Sequence, residues 1–170
     1  QSWPNTMCKP NGSLAYPSLG GALREAGIHV ELFDACVGNS ESDLKDFFYS
    51  PTKLTSGLLR TGVSDEKILE ATRDFDIIGL TSIFSDQETM VLSTARLIKE
   101  SYPTKILISG GVNARNRISK FLSNGIDFVL LSEAERSLIK FIKQLHSLEN
   151  DISSVSSIAF QKDGKTIINR

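Results

Sequence analysis

Short β-branched runs alternate with stretches of helical period along this chain, and that alternation limits its fold more than any other feature. Asp76-Ile77-Ile78-Gly79-Leu80-Thr81-Ser82-Ile83, Lys105-Ile106-Leu107-Ile108 and Phe128-Val129-Leu130-Leu131 are nearly continuous apolar runs of strand length, the pattern of strands covered on both faces. Ile28-His29-Val30-Glu31-Leu32-Phe33 alternates as a strand and stops at Asp34. Residues 17–26 read as a helix with Pro17 in its first turn and Gly27 just past its end. Ser64 is placed to cap a helix running through Arg73, with Asp65 and Glu66 at its positive end. Ser85-Asp86-Gln87-Glu88 has the spacing of a capping box, opening a helix with apolar Met90, Ala95, Leu97 and Ile98 that ends before Pro103.

Two more helices follow, over 113–124 with Ile118, Phe121 and Leu122 on one face, and over 134–145 with Leu138, Phe141, Ile142 and Leu145 inward. The pattern is weak between residues 36 and 63, where Leu44, Phe47 and Phe48 suit a short helix. Residues 157–160 and 166–168, around Lys162-Asp163-Gly164, read as a β-hairpin. The expected architecture is α/β: a doubly wound, mostly parallel sheet of Rossmann or flavodoxin-like type, with a C-terminal β-hairpin.

At 170 residues and 40% hydrophobic, the chain is long enough for one real core. A net charge of −1 without a basic run argues against nucleic acid and membrane as partners. No apolar stretch has the length of a membrane span and no leader is visible at Gln1, so the expected location is cytoplasmic. The two cysteines, Cys8 and Cys36, lie far apart and suit neither zinc nor an iron–sulfur cluster; they read as unrelated thiols, with a disulfide between them the open alternative.

Parallel sheets bind ligands outside the carboxyl ends of their strands. Three corners should converge there: Thr81, Ser82, Ile83, Phe84 and Ser85; Gly110, Gly111 and Val112; and Leu131, Ser132, Glu133, Ala134 and Glu135. The pair Gly110-Gly111 has two readings. It forms a tight turn needing positive φ, or it leaves room for a ligand on the backbone. On the second reading, Gly111 is dispensable for folding. A dinucleotide fits poorly although Asp34 could serve as its acid, because Gly20-Gly21 fall inside a helix with no strand before it. A phospho-acceptor site lacks its aspartate, since the central strand ends in Thr81-Ser82-Ile83 and Glu133 stands only after Leu131.

The blocks "PSLGGALREAGIHVELFDA", "DFDIIGLTSIFSDQETMVLSTARLIKESYP", "KILISGGVNA" and "GIDFVLLSEAERSLIKFI", in that order, resemble the cobalamin-binding domain preceding the catalytic domain of many radical S-adenosylmethionine enzymes. The magnesium-protoporphyrin monomethyl ester oxidative cyclases belong to that set. The resemblance runs from about Pro17 to the C-terminus, and "SIAFQKDGKTIINR" is similar to the short hairpin before the radical domain.

The resemblance implies a cobalamin (B12)-binding domain over residues 1–150, and a hairpin over 151–170 leading to a radical SAM domain of the same parent chain. That domain would carry a [4Fe-4S] cluster and S-adenosylmethionine, whereas this chain has no Cys-x-x-x-Cys-x-x-Cys and is not expected to catalyse by itself. The cobalamin would serve methyl transfer or another radical step, such as oxidative ring closure. Thr81 and Ser82 would hydrogen-bond the ring or its tail, and Gly110 and Gly111 would let the tail approach. "SEAE" stands where such domains have a Gly-Glu-Gly-Glu-like turn, so Ser132 and Ala134 replace its glycines. No Asp-x-His-x-x-Gly motif is present, which implies cobalt without a histidine ligand. Related domains also begin with a central apolar strand ahead of the loop that here reads Gln1-Ser2-Trp3-Pro4, so that strand is expected to be missing or replaced. The alternative from another class is a flavodoxin-like regulatory or protein-binding module without cofactor.

Overall fold

The structure is a computed structural model that describes residues 14–54, 57, 59–147 and 151–169. The Gln1 loop and Cys8 lie outside the described residues. In chain order the elements are α1 (Ala15–Glu25), α2 (Glu41–Asp43) running into a π-turn (Leu44–Phe48), β1 (Thr52–Lys53), β2 (Leu59–Arg60), α3 (Asp65–Thr72) and β3 (Ile77–Thr81). A 3₁₀ turn (Ser85–Gln87) leads into α4 (Glu88–Ser101), followed by β4 (Ile106–Gly110), α5 (Val112–Asn116), α6 (Ile118–Leu122), β5 (Phe128–Leu130) and α7 (Ala134–Leu145). A second 3₁₀ turn (Ile152–Ser154) precedes β6 (Ile158–Lys162) and β7 (Lys165–Asn169).

The main sheet has the order β3-β4-β5-β6-β7, parallel from β3 to β5 and antiparallel beyond. The expected hairpin is therefore part of this sheet, bonded through Val129 to Ala159 and its neighbours. Its two-residue turn places Asp163 at φ 51° and Gly164 at φ 72°, the twist that joins adjacent strands tightly. Alternation along β4 sends Leu107 and Ile108 to opposite faces. Leu107 packs with Ala95, Ile98 and Phe121 under α4 and α6, while Ile108 packs with Leu23, Phe141 and Ile158 under α1 and α7. Phe141 is fully buried, its ring 4.6 Å from that of Phe128. No described helix is long and apolar enough to cross a membrane.

Most helix ends follow their local chemistry. Gly27 sits at φ 75° after α1, and the Ser64 hydroxyl accepts from the Lys67 N–H at 3.4 Å. Three expectations change. Residues 28–33 are not a strand: Ile28, Val30 and Phe33 are partly buried against the core, but the backbone joins no ladder. Side-chain alternation was satisfied by packing alone. Strand β3 likewise pairs only with β4, so its outer edge has no ladder partner among the described residues.

The helix expected over 113–124 is two short helices broken at Arg117, whose φ of −130° and ψ of 36° interrupt the ladder. The capping box is rearranged as well. Gln87 accepts from the Phe84 and Ile83 N–H groups through its Oε1, at 3.3 and 3.4 Å. Glu88, expected to reach back, is instead buried against two cations.

Candidate functional site

Strands β3, β4 and β5 are parallel, so the three predicted corners share the carboxyl edge of the sheet. The first two are joined directly. Ser82 donates its N–H to the Gly110 carbonyl at 2.8 Å, and its own carbonyl accepts from the N–H groups of Asn113 and Ala114 at 3.1 and 3.4 Å. Its hydroxyl oxygen accepts from Asn113 Nδ2 at 2.9 Å. Every polar atom of Ser82 is thus bonded into the corner that follows β4. The third corner is linked more loosely: Arg115 Nη1 reaches the Leu131 carbonyl at 3.5 Å, and the Leu131 N–H bonds Ser157.

This geometry answers the question of the glycine pair. Gly111 lies at φ 102° and ψ 165°, a region closed to residues with a side chain. A Cβ there would stand 2.4 Å from the Ser82 carbonyl oxygen. Gly111 therefore makes room for the neighbouring strand's backbone, and it is a requirement of folding. Gly110 is different, because a Cβ added there meets nothing closer than Leu130 at 3.8 Å.

The other predicted residues divide by depth. Ser82 is completely buried, so it supports the rim from beneath and does not face solvent. Thr81, Ile83, Gly110, Leu131, Ala134 and Glu135 are half-buried, and Ser85, Ser132 and Glu133 are exposed. Phe84 is 62% exposed and Val112 48%, which places two large apolar side chains in water at adjoining corners. Glu135 is engaged already: its carboxylate accepts from the Ser18 hydroxyl at 2.7 Å, tying α7 to α1, and that bond holds its carboxyl below the ordinary range.

Sequence reasoning missed Asn113 and Glu88. Both are buried polar residues, 6% and 8% exposed. Glu88 Oε1 meets Lys120 Nζ at 2.5 Å and Oε2 meets Arg117 Nε at 2.9 Å. The Lys120 hydrogen bond keeps the Glu88 carboxyl ionised below its usual range, against burial, which pushes the other way. An asparagine or glutamate in a first helical turn reads as capping chemistry, so no local signal separated these two from ordinary helix starts.

No family model matches the chain. Over 156 residues, 88% of its length, it is 32% identical to cytidylyl-2-hydroxyethylphosphonate methyltransferase of Streptomyces wedmorensis, of which it spans 28%. The structure superimposes on that of OxsB, a cobalamin-dependent S-adenosylmethionine radical enzyme with aqua-cobalamin bound, with a TM-score of 0.65 at 21% identity. That match takes in 96% of this chain and 20% of OxsB. The chain has the fold of one segment of a cobalamin-dependent radical enzyme. Both comparisons bear out the resemblance carried by the four sequence blocks, and neither bears on the oxidative-cyclase subset. The chain spans about a quarter of its curated relative.

Proposed function

We propose that this chain is the cobalamin-binding module of a radical S-adenosylmethionine enzyme. The observation that carries the reading is that Phe84 and Val112 are both exposed on the corners that follow two paired parallel strands, at the carboxyl edge of the sheet. A corrin is broad, flat and amide-rimmed. Exposed apolar side chains on corners that also carry hydroxyls, at Thr81, Ser85 and Ser132, suit such a group. When bound, cobalamin would supply an exchangeable cobalt-bound group for transfer or a radical step. The chain's own part is to hold the macrocycle, expose one face and exclude water from the other. Methyl transfer is favoured over ring closure, since the 32% identical relative is named a methyltransferase.

In this reading, residues 1–150 form the cofactor module and 151–170 lead to a radical domain of the same parent chain, which carries the [4Fe-4S] cluster and S-adenosylmethionine in the cytoplasm. Titrating the chain with hydroxocobalamin should shift the visible spectrum and saturate at one cofactor per chain. An unchanged spectrum would favour the flavodoxin-like module without cofactor, its exposed rim then a protein contact.

Cobalt held here should receive no imidazole from the chain. His29 stacks on Phe75, at 5.7 Å between ring centres, just before β3 begins. His146 follows the C-terminal end of α7. Both stand at the end of the sheet opposite the rim, whereas a metal–nitrogen bond needs about 2 Å. Electron paramagnetic resonance of the cobalt(II) form should be the same in wild type, His29→Ala and His146→Ala. Nitrogen splitting that disappears in either variant would identify a histidine ligand.

A further inference from the structure

The first two corners of the rim are fastened twice, by buried side chains. Asn113 holds Ser82 through its backbone N–H and its amide. Glu88, in the first turn of the helix after the first corner, takes Lys120 and Arg117 from the helical segment after the second. The two fastenings meet, since the Asn113 side chain also bonds the Glu88 carboxylate, and together they join α4 to α5 and α6. Both use polar groups that are more than nine-tenths buried, which folding alone would not favour over apolar packing of the same size.

Both oxygens of the Glu88 carboxylate are paired, Oε1 with Lys120 and Oε2 with Arg117, so the buried charge ties α4 to the segment around α6. The consequence of both fastenings is geometric. With Ser82 held on its N–H, carbonyl and hydroxyl oxygen, the segment to Phe84 cannot slide along the segment to Val112.

We propose that Asn113 and Glu88 are positioning residues for cofactor binding: they set the separation of Phe84 and Val112, and with it the flatness of the surface offered to the corrin. This rests on the cobalamin reading. Neither residue touches the cofactor; each acts through the corner that it holds.

The test is hydroxocobalamin affinity of the full chain, with the folded fraction of each variant fixed by circular dichroism and thermal melting. Asn113→Ala and Glu88→Gln should each bind roughly tenfold more weakly per folded molecule, the scale of one buried hydrogen bond. Combining Asn113→Ala with Ser82→Ala should cost no more affinity than Asn113→Ala alone, because both remove the same tie. A role in stability only would lower the melting temperature and leave the affinity of the folded fraction unchanged. That result in either variant overturns the proposal. If Asn113→Ala does not fold, Glu88→Gln decides alone, since its cations are half-exposed and its shape is retained. Wild type that binds no cobalamin at all would refute the functional reading instead, which keeps the two failures apart.

Discussion

Gly111→Ala should unfold or grossly loosen this chain, while Gly110→Ala, one residue away, should leave it intact. At Gly111 the added methyl meets two penalties together. The backbone conformation, φ 102° with ψ 165°, costs a residue with a side chain about 1–3 kcal/mol. The methyl would also sit 2.4 Å from the Ser82 carbonyl oxygen and 2.8 Å from its carbon, so the strand ends must separate. Separation breaks the bonds of that carbonyl to Asn113 and Ala114, inside a domain whose whole stability is of the order of 5–15 kcal/mol. Gly110 has no positive φ, and its nearest neighbour at 3.8 Å is an ordinary contact. Its substitution should change stability by about 1 kcal/mol or less. Thermal melting of both variants checks the contrast, and similar melting temperatures would mean that the corner is not packed as described.

That contrast also shows where sequence reasoning stops. Helices α1, α4 and α7 were legible because their apolar residues recur at helical spacing, and β3 to β5 because continuous apolar runs of that length suit buried parallel strands. The hairpin was legible from its Asp163-Gly164 turn. What the pattern could not give is pairing. Residues 28–33 alternate like a strand and still join no ladder, since alternation reports which side chains are buried and not where the backbone bonds go. Nor could it distinguish the two glycines: a glycine needed for a neighbouring backbone and one merely allowed look the same until Ser82 is known to lie against one of them. Ser82 itself was expected to hydrogen-bond the ring or its tail, whereas its hydroxyl is buried and bonded to Asn113, thirty-one positions away along the chain.

The second large effect should fall on binding and not on folding. Phe84 and Val112 are exposed, so replacing both with serine removes little buried surface from the protein. Melting temperature should stay within a few degrees, as for most surface changes. If a corrin covers them, each lost apolar contact is worth on the order of 1.5 kcal/mol, and the pair about 3 kcal/mol, or roughly a hundredfold in affinity. Isothermal titration of the double variant with hydroxocobalamin measures this directly. Affinity within about threefold of wild type would remove the two apolar side chains from the site and leave the hydroxyls as its remaining support.

On the proposed reading, cobalamin should lie across the carboxyl edge of β3 and β4. Crystals of the chain grown with hydroxocobalamin, measured at the cobalt absorption edge, would locate the metal without any prior assumption about the cofactor's pose. The account predicts one anomalous peak above the rim, with the corrin against Phe84 and Val112 and no histidine of the chain on the cobalt. A peak at the amino edge beside His29 or His146, or no peak in crystals that contain the cofactor, would contradict it.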